Sequence, residues 1–122
     1  MKKVIGYIRV STEYQKVKGN SVNNQIQSIQ NYCSVNELEL VKIYEDNGVS
    51  GMSNKRIGLN DMFDNIKNSD IDGLIVYSLS RLGRKLKDVI DFIDVLSKND
   101  IRFISLKENF NNNDIVGKLM FN

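Results

Sequence analysis

Leu74-Ile75-Val76-Tyr77 is the stretch that most restricts how this chain can fold. It is short and fully apolar, with Asp72-Gly73 before it and Ser78 after it. A strand without a polar face fits the centre of a parallel sheet, covered above and below. The flanking sequence supplies the rest of such a sheet. Residues 3–10 are β-branched and aromatic and read as a buried strand. Leu38 to Tyr44 reads as a strand of alternating apolar and polar residues, and Ile101 to Leu106 as another. Between them the period changes to that of a helix. Ile26, Ile29 and Cys33 predict one helix from about Asn24 to Val35. Leu59, Met62, Phe63 and Ile66 predict a second, and Leu86, Val89, Ile90, Ile93 and Leu96 a third. The stretches 11–23, 46–51, 78–84 and 109–114 read as loops, and 115–122 as the first turns of a further helix. The order β-α-β-α-β-α-β predicts an α/β domain. It is a single doubly wound, mostly parallel sheet of four to five strands, with helices on both faces and right-handed crossovers.

A length of 122 residues suits one domain, spanning 1–122. No apolar run approaches the roughly 18 residues of a membrane span. Met1-Lys2-Lys3 leads directly into a strand without a cleavage site, so a cytoplasmic location is expected. A single cysteine, Cys33, excludes an internal disulfide, and there is no histidine. Chemistry must therefore run on Ser, Thr, Tyr, Asp, Glu, Lys and Arg. No acidic cluster with ligand spacing is visible, and neither a metal nor a cofactor is expected. The net charge of +2 is too small to announce a nucleic-acid binder, so any such surface must be local or lie elsewhere in a longer chain.

Ligands of open parallel sheets bind outside the carboxyl ends of the strands. The first strand delivers Arg9 and Ser11 there, and Tyr7 shares the alternating face of both. The second leads to Asp46, Ser50 and Arg56. The third delivers Ser78, Ser80, Arg81 and Arg84, and the fourth Lys107 and Glu108. Guanidinium forks match phosphate oxygens and stay charged at every working pH. Each residue alone has a plainer reading. Ser11 suits a turn or cap, Arg84 can open the third helix, Cys33 fits the core, Gly48 and Gly51 suit turns, and Lys85 and Lys87 suit a solvated helix face. Arg9 is less easily dismissed, because an arginine on a buried strand needs a partner. It is the convergence on one edge that points to a phosphate or phosphodiester.

Tyr7-Ile8-Arg9-Val10-Ser11-Thr12-Glu13-Tyr14-Gln15 resembles the nucleophile motif of the serine site-specific recombinases, the resolvase/invertase family. Ser21-Val22-Asn23-Asn24-Gln25 resembles the segment that carries the family's active-site glutamine. The stretch from Ser50 to Leu59 resembles its Ser-Gly loop, with Arg56 before a Gly-Leu helix start. Ser80-Arg81-Leu82-Gly83-Arg84 resembles the paired-arginine motif, with Ser80 where an aspartate is common. Glu108-Asn109 and Gly117-Lys118-Leu119-Met120 resemble the start of the long dimerisation helix. The resemblance spans the whole chain. The long spacing between Ser11 and Gln25, with Lys18-Gly19-Asn20-Ser21, is similar to the large serine integrases and transposases.

The resemblance implies that Ser11 attacks a DNA phosphodiester and forms a transient 5′-phosphoserine link, with strand exchange and religation to follow. Arg9, Arg81, Arg84 and Arg56 would stabilise the charge on phosphorus, and Gln25 would position it. Tyr7, Ser80, Asp46 and Glu108 are candidates for support. Asp46, Glu108 or an arginine would take the serine proton, with no basis in the sequence for choosing. Double-stranded DNA is the expected partner, in a dimer-to-tetramer assembly of a longer parent. This chain is expected to stop at the start of the dimerisation helix, lack the DNA-binding region and associate weakly. The alternatives are a non-catalytic regulatory module on the same fold, or a flavodoxin-like or response-regulator-like phosphate binder.

Overall fold

A computed structural model of the chain describes residues 2–10, 21–47, 57–67, 70–83, 85–108 and 110–111, excepting the side chains of Val10, Ser21, Val22, Asn47, Ile57, Arg81, Phe110 and Asn111. The elements are β1 (Lys2–Val10), α1 (Ser21–Val35), β2 (Leu38–Asn47), α2 (Ile57–Ile66), β3 (Gly73–Val76), α3 (Leu79–Leu82), α4 (Leu86–Lys98), β4 (Arg102–Ser105) and β5 (Phe110–Asn111). The sheet order is β2-β1-β3-β4-β5. The first four strands of that order pair in parallel, and β5 pairs antiparallel to β4.

From β1 the chain moves outward to β2, then back across β1 to β3 and on to β4. Crossovers of one hand that reverse direction must use opposite faces of the sheet. Accordingly α1 packs on one face, where Ile29 and Cys33 meet Val4, Ile8 and Ile75. The helices α2 and α4 pack on the other, where Met62, Ile66, Ile93 and Leu96 meet Ile5, Tyr7, Leu74, Val76 and Phe103. The whole of β3 is buried, with Leu74 and Val76 serving one face and Ile75 the other. The doubly wound architecture and the central, two-sided strand are as expected from the sequence.

Four local expectations need correction. The 78–84 stretch is not all loop, since Leu79–Leu82 forms a helical turn. Leu82 is buried there and Leu79 packs against the same core, so burial rather than propensity shapes it. Part of the expected 109–114 loop is strand. After the turn at 106–108 the chain reverses, and Phe110 pairs with Ser105 along the otherwise open edge of β4. The strand β2 runs three residues beyond Tyr44 and takes Asp46 into the sheet, where Arg9 is its partner. The helix α1 begins at Ser21 rather than Asn24.

The alternation expected across Leu38 to Tyr44 is also broken. Val4 pairs with Leu40 but Ile5 with Lys42, so Val41 is a supernumerary residue, a β-bulge. Leu38 and Leu40 lie on the α1 face before it, and Ile43 lies there after it. Tyr44 and Asp46 are thereby turned to the opposite face, that of Tyr7 and α2.

Cys33 sits in the α1 core, and burial pushes its thiol above the ordinary value. A raised folded-state value means that the native state holds this proton more tightly than the unfolded state. The stabilising contribution is complete below the unfolded thiol value and is lost as pH rises through the folded one. At pH 8 the native protein is expected to react with a thiol reagent at least about tenfold more slowly than the urea-unfolded chain. Equal rates would place Cys33 outside the core.

Candidate active site

The connections leaving β1 and β3 run in opposite directions, which makes the carboxyl ends of these adjacent strands the topological switch point. Arg9 lies next to the end of β1, two residues before Ser11 in sequence. Its Nη2 donates to the Ser80 carbonyl oxygen at 2.8 Å, joining β1 to the turn α3 that follows β3. Arg81 is the next residue of that turn. Residue 80 thus contributes its main-chain oxygen to Arg9. The Ser80 hydroxyl is 2.9 Å from that of Ser78.

Asp46 organises the neighbouring corner. It is only 5% exposed. Its Oδ2 accepts from the Tyr7 hydroxyl at 2.7 Å and from the Leu59 N–H at 3.0 Å. Its Oδ1 accepts from the Gly58 N–H at 2.7 Å. Two of the donors are first-turn amides of α2, which have no acceptors within their own helix. A carboxylate there also opposes the positive end of the helix dipole. The phenol and the helix together fill both oxygens, so the carboxylate ties β1, β2 and α2 into one unit.

Gly58 allows this close approach. A Cβ built on it would lie 2.4 Å from the Glu45 carbonyl oxygen and 3.1 Å from Asp46 Oδ1. The glycine is therefore required by contact between α2 and the end of β2. Arg56 precedes it by two residues.

Glu108 forms the third corner. Its Oε1 accepts from the Leu79 N–H at 3.2 Å and from the Ser105 hydroxyl. Gln25 is in α1 and is 1% exposed. Of the residues expected at the site, Tyr7, Arg9, Asp46, Ser80 and Glu108 are thus joined in two linked groups at the carboxyl edge. Ser11, Arg56 and Arg84, and the side chain of Arg81, lie outside the described residues. The sequence reading passed over Ser105. A serine in an apolar strand with no exposure needs a hydrogen-bond partner, and a carboxylate three residues later was the signal. Among the described residues no group of three His, Cys, Asp or Glu side chains is placed to hold a metal ion. None of the described helices is long and apolar enough to cross a membrane.

The sheet order is shared by unrelated phosphate-binding folds, so topology alone does not decide the family. Residues 4–122 match the family model of the resolvase N-terminal domain. The chain belongs to the resolvase family. This resolvase domain is 33% identical over 115 residues to a putative DNA recombinase of Bacillus subtilis (strain 168), covering 94% of this chain and 22% of that protein. It is 33% identical over 119 residues to the transposon Tn552 resolvase of Staphylococcus aureus, covering 96% of this chain and 53% of the relative. The crystal structure of the N-terminal catalytic domain of TP901-1 integrase superposes with a TM-score of 0.81 at 34% identity, over 98% of this chain and 88% of that one. The resolvase domain thus spans about a fifth to a half of these curated relatives' lengths.

Proposed function

We propose that this chain is the catalytic domain of a site-specific DNA recombinase, with Ser11 as its nucleophile and double-stranded DNA as its substrate. The observation that carries the reading is the Arg9–Ser80 bond at the switch point. It ties the strand end that leads to Ser11 to the turn that bears Arg81. In the reaction the Ser11 oxygen bonds to phosphorus and the bond to the deoxyribose 3′ oxygen breaks. The serine proton leaves and the 3′ oxygen gains one. One phosphate ester replaces another, so the link retains the energy for rejoining and no nucleotide is consumed. Negative charge grows on the non-bridging oxygens, where Arg9, Arg81, Arg84 and Arg56 are proposed to act, and fixed donors at such a point give about 10²–10³-fold each. Gln25 is proposed to position the phosphate. Tyr7 and Asp46 are proposed to hold the framework. Three donors on two oxygens favour that role for Asp46 over proton acceptance. Recombination requires paired sites, and a dimer-to-tetramer assembly of the full-length protein is proposed to align them.

The full-length protein is expected to form a covalent adduct with a two-site DNA substrate carrying a nick, and peptide mapping is expected to place the phosphodiester on Ser11. Ser11→Ala is expected to abolish the adduct while leaving DNA binding intact. An adduct that survives Ser11→Ala would remove the nucleophile assignment. A wild-type protein that binds paired sites without ever forming an adduct would point to the non-catalytic module instead.

A further inference from the structure

We propose that Glu108 is a positioning residue for the arginine-bearing turn, acting as its cap from the end of the neighbouring strand. This rests on the recombinase reading above. The turn α3 starts after Ser78, whose own side chain makes no cap bond to the turn. The Ser78 hydroxyl is instead engaged with that of Ser80. The first amide of the turn, Leu79 N–H, donates to Glu108 Oε1 at 3.2 Å, across 29 residues of sequence. The same oxygen receives the hydroxyl of Ser105, which is fully buried in β4. Ser105 therefore orients the carboxylate, and the carboxylate holds the turn.

Main-chain bonds place that carboxylate. Leu106 N–H donates to the Val76 carbonyl at 3.0 Å, and Lys107 N–H to the Tyr77 carbonyl at 2.8 Å. These bonds extend the β3–β4 pairing to the residue before Glu108. On the far side of the turn, the Ser80 carbonyl accepts from Arg9. A continuous series of contacts thus runs from β4 through Glu108, Leu79 and Ser80 to Arg9 on β1. A helical turn of four residues has little stability of its own. Its placement depends on the groups at its ends, and the placement of Arg81 and of the Arg9 partner depends on the turn.

This role is distinguishable from proton transfer. Glutamine keeps an oxygen acceptor at position 108 and cannot serve as a base. Adduct formation would be timed in the full-length protein across a pH series, with DNA binding measured separately. Glu108→Gln is expected to stay within about threefold of wild type with the same pH profile, and Glu108→Ala to slow the step by about 10–100-fold at unchanged DNA affinity, the scale of a misplaced group. Ser105→Ala, which frees the carboxylate without removing it, is expected to fall between them and serves as the test if Glu108→Ala does not fold. Hydrogen exchange at the Leu79 amide is expected to quicken in Glu108→Ala but not in Glu108→Gln. A Glu108→Gln variant as slow as Glu108→Ala, or one with a displaced acid limb, would overturn the proposal in favour of proton transfer. Wild-type rates in Glu108→Ala or in Ser105→Ala would overturn it outright. If the wild-type protein forms no adduct, the recombinase reading fails, and unchanged Leu79 exchange in Glu108→Ala separately rejects the cap.

Discussion

Gly58→Ala is expected to destabilise the protein by about 3 kcal/mol and to lower its melting temperature by roughly 10 °C. The sign opposes the ordinary expectation. Alanine in a helix is favoured over glycine by about 1 kcal/mol, so an unconstrained helical glycine would give a more stable variant. Here the new Cβ would sit 2.4 Å from the Glu45 carbonyl oxygen and 2.9 Å from its carbon. Neither atom is the end of a flexible side chain. The start of α2 must withdraw from β2, and in doing so it stretches both amide bonds to Asp46. Hydrogen bonds to a charged group contribute roughly 1.5–3 kcal/mol each, so losing two outweighs the gain in propensity. The buried carboxylate would keep only the Tyr7 hydroxyl among these donors. Thermal melts of wild type and Gly58→Ala decide the matter, and a variant that melts at or above wild type would disprove the close-approach account. Because Arg56 lies two residues before the glycine, slower adduct formation is expected to accompany the loss of stability.

Deletion of Val41 and Lys42 together is expected to prevent folding, or to cost more than about 4 kcal/mol, whereas deletion of Val41 alone is expected to change stability by less than about 2 kcal/mol. The contrast separates the parity of β2 from its length. Val41 is 50% exposed, so its side chain contributes little burial. Its backbone is the additional unit of β2, so removing it alone leaves Lys42 opposite Ile5 and each later residue on its present face. With Lys42 also removed, Ile43 would follow Leu40 directly, which turns Ile43 away from the α1 face and Tyr44 and Asp46 toward it. Asp46 would then meet the α1 core instead of Tyr7 and α2, which leaves a charge among Val4, Ile8 and Ile29. Far-ultraviolet dichroism and urea melts of the two variants test this. A double-deletion variant that melts within a few degrees of wild type, or a single deletion that fails to fold, would show that parity after Leu40 does not set the face of Asp46.

The sequence made the architecture legible because local composition and period carry it. Leu74 to Tyr77 announced a strand covered on both faces, and β3 is buried throughout. The helical spacing of Leu86, Val89, Ile93 and Leu96 marked α4, in which Val89, Ile93 and Leu96 are buried. The carboxyl-edge placement of Arg9, Asp46, Ser80 and Glu108 followed from strand order alone. The adjacent apolar pair Leu40-Val41 was a visible sign of the bulge, but within a strand read as alternating it carried no register.

What the tertiary structure alone decided is who holds whom at the site. Arg9 reaches a main-chain oxygen 71 residues away, and Tyr7 a carboxylate 39 residues away. Asp46 and Glu108 appeared equally as proton acceptors in the sequence. In the fold Asp46 receives two main-chain amides and Glu108 one, each at the start of a helical element, which gives both a structural partner. Hydrogen bonds form or fail over a few tenths of an ångström. Residue order and composition specify which groups reach an edge, whereas the parity of β2, the approach of α2 at Gly58 and the capping of α3 depend on distances that only the packed chain sets.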